Sequence, residues 1–153
     1  MLRRLLILLA ASIALLTSTA TAWAGSYLDR SALLLEANRR DAQALREKMT
    51  DKELARVVRI VADARETAAS EMDVPAAVAK AHPHLLLALA KVERAAKAAL
   101  DGNYSTVLEL LESSAREEAL FRAALKELGF PLPKAEPRGP RQPGLAPAWG
   151  RPP

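Results

Sequence analysis

Between His84 and Leu128 the chain repeats one pattern twice around a short break, and that pattern leaves few folds open. Leu85, Leu89, Val92, Ala96 and Ala99 recur at steps of three and four residues, then Asp101-Gly102-Asn103 intervenes. Val107, Leu111, Ser114, Phe121, Leu125 and Leu128 resume the same spacing, with Glu118 as the one misfit. Steps of three and four place these side chains on one face of an α-helix. Gly102 suits the left-handed residue that ends a helix, and Asn103 or Ser105 can cap the next, with Thr106 and Glu109 at capping-box spacing. A break this short between two amphipathic helices forces an antiparallel hairpin.

The residues before it supply a second hairpin. From Ser26 or Asp29 to Lys48, Leu28, Leu35, Ala42 and Met49 repeat at seven, with Ala32 and Leu45 between them. Asn38 and Arg39 stand where a second apolar row would continue. Arg39 and Arg40 together point to exposure there, so Asn38 reads as a polar interruption rather than as a buried polar specifier of the coiled-coil kind. Thr50-Asp51-Lys52-Glu53 has the form of a capping box and opens a second helix. Along it Leu54, Val57, Val58, Val61, Ala64 and Ala68 form a broad apolar face, widened by Ile60. From Met72 to His84, Pro75 and Pro83 make an elbow in which Ala76 to Ala81 has room for a turn or two of helix. The expected fold is therefore all-α: an up-down-up-down four-helix bundle made of two antiparallel hairpins.

The two ends of the chain differ from this middle. Residues 1–24 carry Arg3 and Arg4, an apolar run from Leu5 to Leu16, and small residues at Ala22 and Ala24. This is the layout of a cleaved secretory leader, and the run is shorter than the roughly 20 residues that span a bilayer. Periplasmic or secreted localisation follows as an expectation, with no stable membrane anchor after cleavage. The leader's style and the Ala- and Arg-rich composition suggest a bacterial source. Residues 131–153 hold most of the chain's ten prolines and no apolar periodicity, the composition of a disordered or polyproline-like tail. Trp149 is the tail's one feature suited to docking on a partner. The bundle domain is thus expected at residues 25–130.

Composition narrows the chemistry. The formal net charge of +4 resides at the two ends: residues 25–130 hold sixteen basic against seventeen acidic side chains. A near-neutral domain lacks the basic face that nucleic acid requires. The absence of cysteine excludes disulfides, thiolate metal sites and a lipid-modified leader, so an apolar core has to hold the fold. No Gly-rich phosphate loop, Gly-x-Ser-x-Gly elbow, His-Glu-x-x-His or Glu-x-x-His pair occurs. Glu117 and Glu118 are adjacent and point to different faces. The expectation is a non-enzyme.

If the chain held a metal, His82 and His84 would be its candidate ligands, with Met49 and Met72 as soft donors that favour copper. Two residues apart, the histidines diverge by about 200° on a helix and point to opposite sides of a strand. One chain therefore cannot easily clamp a single ion or haem between them. The structural alternative puts both at the start of the third helix, His82 capping it and His84 covering the bundle's end. The sequence implies no cofactor.

Two short resemblances bear on function. Met49-Thr50-Asp51-Lys52-Glu53 resembles the Leu-Thr-x-x-Gln motif of small periplasmic stress chaperones and metal-resistance sensors, with Met49 for Leu and Glu53 for Gln and without the usual second copy. The 84–128 hairpin is similar in layout to periplasmic four-helix b-type cytochromes. Their haem takes a Met near the first helix and a His on the last, and no His falls on the last helix here. The leading expectation is an exported, non-catalytic bundle that binds a protein partner or client chains through an apolar groove, in envelope stress or assembly. The alternative is a metal- or cofactor-binding periplasmic bundle. A homodimer is compatible with either.

Overall fold

The computed structural model describes the backbone of residues 2–132 and the side chains of residues 25–132. The protein is all-helical. Its four helices are α1 (Leu2–Glu47), α2 (Lys52–Ser70), α3 (His82–Asp101) and α4 (Tyr104–Glu127), with a 3-10 turn at Ala76–Val78 between α2 and α3. The side chains of the leader read at 1–24 lie outside the described residues, as does the tail from residue 133. The backbone of α1 runs unbroken from Leu2, ahead of the start expected near Ser26 or Asp29. Among the described residues no helix is long and apolar enough to cross a membrane.

The α3–α4 turn follows from two residues. Gly102 sits at φ +79°, where any other residue would strain, and lets its own N–H and that of Asn103 return to the carbonyls of Ala99 and Ala98. Asn103 then caps α4 by accepting from the Thr106 N–H at 3.4 Å. At the head of α2 the cap is Asp51, one residue later than the capping-box reading placed it, accepting from the Leu54 N–H at 3.0 Å. Pro83 opens the first turn of α3 rather than interrupting a helix, as its missing N–H permits.

α3 is the central element, with α2 on one side and α4 on the other, and α1 lying across all three. Lys52 at the start of α2 donates to the last carbonyls of α3, Ala99 and Leu100, both at 2.7 Å. That contact fixes the α2–α3 register and sets a positive charge at the negative end of a helix dipole. Pairs between consecutive helices run antiparallel, as where His84 meets Glu117 and Lys91 meets Ser113, and those between α1 and α3 run parallel, Tyr27 with His82 and Asn38 with Ala88, consistent with an up-down-up-down bundle. The core has two parts. Around Phe121, Leu125, Leu85, Leu89, Leu35 and Tyr27 it is built of large side chains. Around Ala55, Ala62, Ala95, Ala96 and Ala99 it is built mostly of alanine, with Val58, Val92, Val107, Leu111 and Leu45 filling in. Phe130 and Leu132, just past α4, pack against the first part, so the expected tail begins on the bundle.

Leu128, expected on the apolar face of α4, is 38% exposed at its C-cap, and two larger expectations about faces also fail. The buried row of α2 is Ala55, Val58, Ala62, Arg65 and Ala69, which shares only Val58 with the face expected and otherwise lies one residue round from it. Val57, Ile60 and Val61 are 57%, 60% and 43% exposed. Both rows follow the same three-four spacing, and the one carrying alanine lets α2 approach an equally alanine-rich α3 closely. The second failure is Asn38, expected as an exposed interruption. It is 2% exposed, because Ala88 and Ser114 opposite it are small enough to admit its amide and polar enough to bind it.

Candidate functional site

Four features bear on function, beginning with the histidines. His82 is the first residue of α3 and caps nothing; Ala81 holds the cap position without a side-chain bond. Its ring instead meets Tyr27 of α1, with Nδ1 3.0 Å from the Tyr27 hydroxyl and the ring centroids 5.9 Å apart. Burial pushes the imidazole below its ordinary range and favours the neutral ring, whose Nδ1 accepts from the phenol. Burial also raises the Tyr27 phenol, against a smaller opposing effect of the Ser31 hydroxyl.

His84 faces a different helix. Its Nδ1 donates to Glu117 Oε2 of α4 at 2.8 Å. Lys91 donates to the other oxygen of the same carboxylate at 2.8 Å and to Ser113 Oγ at 2.7 Å. The hydrogen bond from His84, followed by that from Lys91, holds the Glu117 carboxyl below its usual range. The order along the cluster is Ser113, Lys91, Glu117, His84. An ammonium has donors only, so Lys91 offers the serine no lone pair, and Lys91 and Glu117 stand between Ser113 and the imidazole. The cluster ties α3 to α4; it is not arranged to activate a nucleophile.

The sequence-predicted ligands thus go to separate partners, Tyr27 and Glu117. Met49 packs with the alanine-rich part of the core and Met72 with the other, so the structure does not bring the four together. Among the described residues no group of three or more His, Asp or Glu side chains is placed to hold a metal ion.

A third feature is a buried polar node. Asn38 Nδ2 donates to the Ala88 carbonyl at 3.2 Å and to Ser114 Oγ at 3.3 Å, and Ser114 donates to that carbonyl at 2.7 Å. Asn38 Oδ1 is buried with no hydrogen-bond partner. It borders a crevice of about 150 Å³ between α1 and α4, lined also by Arg39, Gln43, Arg46 and Glu118. Glu118, the misfit of the α4 pattern, is buried because Arg39 and Arg122 neutralise it at 3.2 and 2.8 Å. Arg65 likewise occupies an interior position of α2 by pairing with Asp41 at 2.7 Å.

The fourth feature is apolar. Between α1 and α2 lies an open groove of about 330 Å³ lined by Arg30, Leu33, Leu34, Ala37, Ala68 and Met72. Leu33 is 58% exposed at its edge, and Val57, Ile60, Val61 and Ala64 extend the surface along α2. Sequence reasoning placed most of these α2 residues on one broad apolar face together with Val58, without separating the buried row from the exposed one. The signal that would have separated them is the parallel row of alanines one residue on. No protein-family model matches this chain, and neither a curated protein nor a solved structure matches it.

Proposed function

We propose that this protein is an exported, non-catalytic binding module of the bacterial periplasm or extracellular space, and that it takes a protein partner or client chain on the α1–α2 face. The observation that carries this reading is the outward stripe of Leu33, Val57, Ile60 and Val61, all more than two-fifths exposed. Isolated exposed apolar residues are ordinary, but a contiguous row beside an open groove is the surface on which an amphipathic helix or extended chain buries area. The leader-like residues 1–24 support export, and the near-neutral bundle favours protein over nucleic acid as the partner. The histidine cluster serves the fold in this reading.

The test is hydrophobic-dye binding and suppression of client aggregation by the protein purified from an exporting host. Dye fluorescence that rises with the wild type and falls with Val61→Glu supports the reading. Neither dye binding nor suppression of aggregation removes it.

A further inference from the structure

We propose that α1 is a hinged lid, able to leave the other three helices as one unit while they stay packed. The buried polar residues carry this inference. Among the described residues they are Ser31, Asn38, Arg65, Ser114 and Glu118, and every one lies where α1 meets its neighbours. Ser31 and Asn38 belong to α1 itself. Arg65 reaches Asp41 of α1, Ser114 receives the Asn38 amide, and Glu118 pairs with Arg39 of α1. Of its described apolar side chains α1 buries only Tyr27, Leu35 and Leu45. By contrast, α3 buries a continuous row of leucine, valine and alanine.

The two kinds of seam respond differently to water. Apolar area gains its stability by leaving water, so the seams of α3 hold by burial. Charged groups lose hydration on docking, and their pairing does little more than offset that loss. Two atoms of the α1 seam do not recover even that. Asn38 Oδ1 and Arg65 Nη1 are buried without a hydrogen-bond partner, and release of α1 gives both to water. Asn38 cannot turn its amide over to repair this, because the Ala88 carbonyl that it faces can only accept.

What remains after release is complete in itself. Asp51 caps α2 from the link at residues 48–51. Lys52 ties α2 to the end of α3, and His84 and Lys91 tie α3 to Glu117 of α4. None of these contacts involves α1, so residues 48–51 are the hinge. The lid bears on the surface described above, since Leu33, Leu34 and Ala37 form the α1 wall of the α1–α2 groove. Release of α1 takes that groove apart whatever occupies it, and the inference does not rest on the partner proposed for it.

Amide hydrogen exchange in the protein purified from an exporting host tests this, because a segment that opens alone exchanges apart from the rest. The amides of residues 34–47 are expected to exchange together, at least about tenfold faster than the slowest amides of α3. Glu117→Gln weakens the α3–α4 contact and leaves the α1 seam alone. It is expected to speed the slowest α3 amides about tenfold. The α1 amides are expected to keep their rate, since the state with α1 released still holds that contact. Exchange of α1 and α3 at one rate, raised by the same factor in Glu117→Gln, would mean that α1 leaves only when the whole bundle unfolds, and overturns the inference. Exchange along α1 graded from its ends inward is fraying rather than release, and overturns it too.

Discussion

The two hairpins of this bundle obey the same periodicity and use it differently. In α3–α4 the buried row is built of large apolar residues: Leu85, Leu89, Phe121 and Leu125 are fully buried, while Leu87, Leu108 and Leu120 lie outside it. In α2 the order is inverted. Alanine at 55, 62 and 69 faces the core while valine and isoleucine at 57, 60 and 61 face out. Hydrophobic patterning ranks faces by how much apolar area they carry, and burial follows how closely two backbones can approach. Where α3 presents Ala88, Ala95, Ala96 and Ala99, a helix lined with alanine comes nearest and gains the densest contacts. The larger residues are left over, and a leftover row is what a binding surface is made from.

The sharpest way to expose this difference is to remove matched side chains from the two regions. Phe121→Ala is expected to cost about 3–5 kcal/mol, since it empties the largest fully buried position. Ile60→Ala is expected to change stability by no more than about 0.5 kcal/mol. Urea titration followed by circular dichroism measures both. A near-neutral Phe121→Ala would mean that the α3–α4 core had been misassigned.

A middle-sized effect is expected where α1 crosses the hairpin. Asn38→Ala removes two donors from a buried node and should cost roughly 1–2 kcal/mol. No change would show that the node contributes only specificity of packing.

The smallest effect is electrostatic. Folding lowers the affinity of His82 for protons through burial and that of Glu117 through His84 and Lys91. In both cases the unfolded chain binds more protons, so stability rises with pH across each window. The His82 contribution is complete above pH 6.5 and is lost as pH falls through the lowered folded value. The Glu117 contribution is complete above 4.5 and is lost below it in the same way. Thermal melts from pH 8 to 3 should show two descending steps, with His82→Gln removing the upper and Glu117→Gln the lower. A rise in stability on acidification through either window contradicts the assigned environment.

Much of this architecture was legible in the chain. The α3–α4 faces, Gly102 and Asn103 follow from spacing and turn chemistry alone, and every residue placed on the α3 face is buried. The α1 seam was half legible. Leu28, Ser31, Leu35, Asn38, Ala42 and Leu45 keep the three-four spacing, but the asparagine in that row reads as exposure until Ala88 and Ser114 are seen opposite. The Tyr27–His82 contact spans 55 residues of sequence, and no local pattern encodes it. Of the buried α2 row only Val58 was legible, because two rows with identical spacing lie one residue apart and only the tertiary partner chooses between them.

That choice is the centre of the account, and adjacent charge substitutions test it directly. Val61→Glu and Ala62→Glu place the same carboxylate one residue apart on α2. Denaturant unfolding of the two variants is expected to separate them widely. Val61→Glu should remain folded within about 1 kcal/mol of the wild type. Ala62→Glu, which forces an unpaired charge against α3, should lose about 3–5 kcal/mol. Equal losses, or a larger loss at Val61, would contradict the packing of α2 described above.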